Sequence, residues 1–122
     1  MSGVVRSVQD LIVWQRGIDL VEQVYVVSSQ WPASELYGLT SQARRAAVSI
    51  PANIAEGQGR GSTKEFARFL SISRGSLREL ETHLIIALRL RFLAQSEFDR
   101  IQAIIDEVGR LLQGLSRRLN AV

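Results

Sequence analysis

LYGLTSQARRAAVSIPANIAEGQGRGSTKEFARFLSISRGSLRELETHL, residues 36–84, holds two helical patterns separated by a run of glycines, and its reading decides the fold. After Gly38, the residues Ala43, Ala47, Ile50 and Ile54 recur at steps of four, three and four, which predicts a helix beginning near Leu39 or Thr40. Small residues dominate it, and Ala43, Ala46, Ala47 and Ala52 let a neighbouring helix come close. Pro51 falls inside this pattern, where it removes a backbone donor and clashes with the preceding turn at a cost of about 3 kcal/mol. A kink or short break is therefore expected near Ser49 to Ile50. Gly57, Gly59 and Gly61 then interrupt the pattern, and Ser62 with Glu65 makes the S-x-x-E capping box of a third helix. Phe66, Phe69, Ser73, Ser76, Leu80, Leu84 and Ala87 form its stripe, flanked by Leu70, Leu77 and Leu88. Gly75 and Ser76 mark a narrow point on it where another backbone can pack.

Outward from this segment the same period continues on both sides. Towards the N-terminus, Ser7 and Asp10 form an S-x-x-D sequence in which either residue is a candidate helix cap. Two apolar stripes follow: Leu11, Trp14, Ile18, Val21 and Tyr25 on one face, and Val13, Gly17, Leu20, Val24, Val27 and Trp31 on the next. That is more apolar surface than a helix lying on one side of a core needs, so this helix either lies deep between others or meets another subunit. Pro32 ends it. Towards the C-terminus, Ser96 and Asp99 signal a last helix whose Phe98, Ile101, Ile105, Val108, Leu112, Leu115 and Leu119 alternate steps of three and four without interruption. Four amphipathic helices near 20 residues, roughly 30 Å each, with short connections and no strand-like alternation, predict an all-α fold. The expected architecture is an antiparallel up-and-down four-helix bundle forming one domain over residues 1–122.

Composition narrows the function classes. The apolar runs are short and broken by charge, and MSGVVRSVQD lacks a signal-peptide hydrophobic region, so neither a membrane span nor export is expected and the cytoplasm is the default location. Without cysteine there is no disulfide framework, no thiolate metal site and no thiol nucleophile. The formal charge is +3, and all cations but Lys64 are arginine. Arginine's planar fork pairs bidentately with carboxylate or phosphate, which fits buried ion pairs and nucleic-acid contacts alike. A GC-rich genome would produce the same bias.

Three strings carry a resemblance: V-W-Q at Val13, Trp14 and Gln15; RRAAVSIPANIAEG from Arg44 to Gly57; and GSLRELET from Gly75 to Thr82. The chain resembles the S23 or 23S rRNA intervening-sequence family of four-helix-bundle proteins, from its first helix through its third, with the last matching mainly in apolar spacing. The resemblance implies a ring-like homopentamer and raises association with RNA or DNA through arginine-rich surfaces as the expected role, while the non-enzymatic reading and the expected lack of a cofactor come from the residues themselves. Related bundle proteins serve as accessory factors of diversity-generating retroelements, associating with a reverse transcriptase and nucleic acid. The alternative function is accordingly a protein-interaction scaffold or accessory subunit that does not itself touch nucleic acid. Two positions depart from the family pattern. Arg91 stands where a glycine is common, lengthening the third helix or adding charge at its end, and His83 stands where a glutamine is common.

The family's polar signature falls here on Arg44, Arg45, Asn53, Glu56, Arg60, Glu79 and Glu81. Adjacent Arg44 and Arg45 point about 100° apart on a helix, so one is expected to turn inward. Either it joins Asn53, Glu56, Glu79 and Glu81 in a structural polar network fixing helix register, or it belongs to a phosphate-binding cluster. Arg60, Lys64 and Arg68 around the glycine-rich turn are the second candidate, holding a backbone phosphate with free amides at a helix N-terminus. The same turn is not a nucleotide-binding P-loop, because Ser62 and Thr63 precede Lys64 and a helix rather than a strand leads in. Arg74 and Arg78, one turn apart, make a further basic strip unless nearby acids pair them.

Catalytic candidates are lacking. His83, the sole histidine, has Glu79 four residues before it, but the di-iron bundle motif Glu-x-x-His would need a glutamate at Leu80. Ser49, Ser73 and Ser76 have no histidine partner at any evident spacing and read as small packing or backbone-bonding residues, so no metal site and no catalytic residues are expected. Trp14 reads as core. Trp31 and Tyr37 flank the first turn, where the family carries a similar P-x-x-E-x-Y-G-L pattern, here Pro32 to Leu39, with fixing that corner as their expected role, an interface contact next and base stacking third.

Overall fold

Four long helices account for most of the molecule: α1 (Ile12–Ser28), α2 (Ser41–Gly59), α3 (Thr63–Arg89) and α4 (Gln95–Asn120). The computed structural model describes residues 8–120, so the expected Ser7 cap lies outside the described residues. Each helix packs on its neighbours in sequence, and α4 closes on α1, which is the cyclic order of an up-and-down bundle. There is no strand among the described residues, and none of their helices is long and apolar enough to cross a membrane.

The seam predicted for the last helix is the core face of α4: Ile101, Ile105, Val108, Leu112 and Leu115 are buried against Leu70, Leu77, Leu80 and Leu84 of α3 and the inner face of α1. On α1 the second stripe is the inner one, with Val13, Gly17, Leu20, Val24 and Val27 all buried. The first stripe grades outward, from buried Leu11 to exposed Tyr25. The α1 helix is capped at Leu11, one residue past Asp10, with no side-chain hydrogen bond.

Three boundaries differ from their sequence expectations. Leu36–Thr40 is a turn kinked at Gly38, whose φ −115°, ψ −114° is not helical, and α2 begins at Ser41 with Thr40 as its cap, one residue past the expected start near Leu39 or Thr40. Glu35 sets that start, its carboxylate accepting the Leu39 amide at 3.1 Å. Second, the short break allowed for near Ser49 to Ile50 does not occur, and α2 runs as one helix from Ser41 across Pro51 to Gly59. Burial offsets the lost backbone bond: the ring lies against Gly17 of α1, where a Cβ would stand 3.4 Å from Pro51 Cβ. The neighbouring carbonyls also gain side-chain donors, since Ser73 Oγ donates to Ile50 O at 2.9 Å and Asn53 Nδ2 to Ser49 O at 2.8 Å. Third, Gly57 and Gly59 lie within α2 rather than beyond it, and the turn is made by Gly61 at φ +79°.

The start of α3 is as expected, Ser62 Oγ accepting the Glu65 amide at 3.1 Å. Its end is a Schellman turn: the Phe92 amide reaches Ala87 O at 2.9 Å and the Arg91 amide reaches Leu88 O at 3.0 Å. Arg91 takes the left-handed position at φ +65° and does not lengthen the helix, which stops at Arg89. At the start of α4 it is Glu97, not Ser96 or Asp99, that caps, accepting the Ala94 amide at 3.0 Å.

Candidate functional site

The turn between α2 and α3 brings Arg60 and Arg68 together around one aromatic ring. Their guanidinium carbons lie 5.1 and 4.5 Å from the centroid of buried Phe69. Both are also committed to carboxylates: Arg60 Nε donates to Glu56 Oε2 and Arg68 Nε to Glu65 Oε2, each at 2.9 Å. The Arg68 hydrogen bond holds the Glu65 carboxyl below the usual glutamate range, against desolvation, with the charges of Arg68, Arg60 and Lys64 adding to it. Glu65 in turn holds Arg68 more firmly protonated. Lys64 is exposed, with no acid at ion-pair distance among the described residues. The expected cluster is thus assembled in space, with two of its three charges already paired.

Arg44 and Arg45 diverge as helix geometry requires. Half-buried Arg44 lies over the Tyr25 ring at 4.5 Å and donates from Nε to Ser28 Oγ at 2.8 Å, so it ties α2 to the end of α1 rather than meeting any glutamate. Arg45 stays exposed. Both line an open groove of about 600 Å³ with Tyr25, Leu36, Tyr37 and Val48. Tyr37 is 93% exposed, so of the two aromatics expected to fix this corner only Trp31, which is buried, does so.

Asn53, Glu56, Glu79 and Glu81 do not share one network. Asn53 Nδ2 donates to Ser49 Oγ at 2.9 Å, and Ser49 Oγ shares a 2.8 Å hydrogen bond with Ser76 Oγ across α2 and α3. Hydroxyls, not ion pairs, therefore bridge the two helices there. Glu56 answers Arg60, Glu79 lies 3.5 Å from His83 Nε2, and Glu81 accepts from Arg78 and from Gln102, each at 2.7 Å. Both ring nitrogens of His83 lack a hydrogen-bond partner, and no group of three or more metal-ligating side chains occurs among the described residues.

Between α3 and α4 lies a groove of about 500 Å³ that the sequence showed only in half. The Arg74 and Arg78 strip forms one wall, and Arg110 with Gln113 the other. Spacing along one helix exposes the first wall; the second becomes visible only when antiparallel packing sets α4 beside α3. Contrary to the expectation for the narrow point at Gly75 and Ser76, no neighbouring backbone packs on Gly75: a Cβ there would meet nothing within 4 Å.

In the comparison with solved structures, a crystal structure of a protein with unknown function from the S23 ribosomal protein family of Bacteroides thetaiotaomicron superposes with a TM-score of 0.78. The match covers 86% of this chain and 98% of that one at 20% identity, a likeness that shows the fold alone. No curated protein sequence matches this chain. The family described as 23S rRNA-intervening sequence protein matches residues 9–114, a span running from the approach to α1 deep into α4, and the chain belongs to that family.

Proposed function

We propose that this chain is a non-enzymatic, homo-oligomeric bundle that associates with RNA or DNA through arginine-to-phosphate contacts. The observation that carries the reading is the state of its arginines. Arg74, Arg89, Arg110, Arg117 and Arg118 are exposed with no acid at ion-pair distance among the described residues, whereas Arg16, Arg60, Arg68 and Arg78 are paired. Unpaired guanidinium groups keep their forks free for phosphate, and displacing the counterions of a nucleic acid drives such binding. The non-enzymatic part rests on residue chemistry: cysteine is absent, and the one histidine, on α3, has a side chain only 12% exposed. Assembly into a ring-like homopentamer finds support in apolar surface left uncovered at the α1–α2 corner, where Tyr25, Leu36, Tyr37 and Val48 face solvent.

A labelled structured RNA titrated with the purified protein tests this. Binding in 50 mM salt that weakens by about a thousandfold or more at 200 mM is expected if six or more phosphates are contacted. Negligible, salt-independent binding at 50 mM would sink the reading. The same aromatic corner favours a second one, a scaffold that docks a protein partner through Tyr37, and that outcome would leave the scaffold standing.

A further inference from the structure

We infer that the α3–α4 groove is the track on which a nucleic-acid backbone lies, gripped at its phosphates by Arg74 and Arg110 with Ser71 and Gln113 as neutral donors. This rests on the reading above and assigns it a site. Charge along the groove is graded. At one end Asp106, the groove's one acid, accepts from the Gln102 amide at 3.0 Å, and just beyond the lining that amide also donates to Glu81 at 2.7 Å, which takes Arg78 Nη1 at 2.7 Å. The acids are thus gathered and engaged there. At the other end Ser71, Arg74, Arg110 and Gln113 line the groove with no acid at ion-pair distance from either arginine among the described residues. Every side chain lining that end carries a hydrogen-bond donor.

Two glycines open the trough. Gly75 on α3 and Gly109 on α4 both line it, and each costs its helix about 1 kcal/mol relative to alanine. Packing within the chain does not demand either: a Cβ at position 75 would meet nothing within 4 Å, and one at 109 would make ordinary contacts at 3.5 Å with Arg78 Nη2 and Leu77 Cδ2. Their lack of side chains leaves room for a backbone to sink between the arginines. The lining holds no aromatic ring, and Leu77 is its one apolar residue beside the glycines. There is accordingly no platform for base stacking and no row of pockets for a peptide's side chains, while a repeating phosphate fits both the charge and the donor set. The grip is therefore blind to base identity.

The test measures anisotropy of a labelled 20-base-pair RNA duplex titrated with the full chain at low salt, comparing wild type, Arg74→Gln with Arg110→Gln, and Arg60→Gln with Lys64→Gln. Circular dichroism checks that helicity is kept. The groove pair is expected to lose at least tenfold in affinity and to flatten the slope of log K against log salt by roughly 1.5–2, a little under one for each of two phosphates. A duplex of unrelated sequence should bind equally well, and the turn pair should lose less than the groove pair. Groove variants that bind like wild type would overturn the site while the proposed function stands. Wild type that fails to bind would overturn both. Polyglutamate displacing the duplex at equal charge concentration would overturn the phosphate assignment in favour of an acidic polypeptide.

Discussion

Arg91 holds a backbone conformation, φ +65°, that costs an L-residue roughly 1–2 kcal/mol and that glycine adopts freely. It does so because the Schellman turn fixes the Phe92 and Arg91 amides on Ala87 and Leu88, and the chain must then reverse into α4 with Leu93 buried. Arg91→Gly is expected to stabilise the fold by about 0.5–1 kcal/mol, since the relieved strain exceeds the added entropy of the unfolded chain. A rise of a few degrees in Tm would show it; an unchanged or lower Tm would mean that the arginine side chain contributes stability of its own. At the opposite end of α3, Ser62→Ala removes the acceptor of the Glu65 amide and should cost about 1 kcal/mol in urea denaturation. Glu65 itself titrates below the usual glutamate range because Arg68 binds its charged form. Its contribution is therefore present above the unfolded glutamate pKa and lost as pH falls through the lower folded value. Carboxyl NMR should find this pKa returning towards the ordinary value in Arg68→Ala, and a pKa that does not move would dissolve the pair.

The α2 and α3 helices approach closely at Gly57, whereas Gly75 lies on the open α3–α4 groove, and the two glycines answer differently to a side chain. At Gly57 a Cβ would stand 2.7 Å from Phe69 Cβ, the fixed root of a buried side chain, whereas at Gly75 it would meet nothing. Gly57→Ala should therefore destabilise by about 1–3 kcal/mol through overpacking, and Gly75→Ala should stabilise by up to about 1 kcal/mol through helix propensity. Denaturation midpoints of opposite sign check both, and two shifts in the same direction would contradict this packing. Elements were legible in the sequence where their cause is local. The Ser62 cap and the α4 seam follow from spacing within a turn or two, whereas α1 stops at Ser28, short of the Trp31 that its apolar spacing included. The continuity of α2 through Pro51 was not legible, because what offsets the proline is Gly17 on another helix and Ser73 on a third. The same holds for Gly57, whose glycine reads as a helix breaker in one dimension and as a contact in three.

At the scale of the whole molecule, periodicity showed four helices but not which of two apolar stripes on α1 faces inward, a choice made by the other three helices together. The site residues divide likewise. Arg60 and Arg68 pair with acids one turn away, as local spacing permits, while Arg44 finds Tyr25 and Arg110 joins Arg74 only through packing. Once the Val13 to Val27 stripe is buried, Tyr25 remains outside beside Tyr37, and this corner is where a second copy would dock if the chain assembles as proposed. Tyr37 is 93% exposed and so contributes almost nothing to the monomer's core. Removing it should separate assembly from folding. Tyr37→Ser is expected to leave helicity and Tm of the monomer unchanged, while losing a buried interface tyrosine would weaken each contact by about 2 kcal/mol, roughly thirtyfold. Light scattering across a dilution series would then find monomer at concentrations where the wild type is assembled. A variant that assembles as tightly would place the interface elsewhere and leave Tyr37 for a different partner, whereas a wild type that is monomeric at every concentration would overturn the assembly itself.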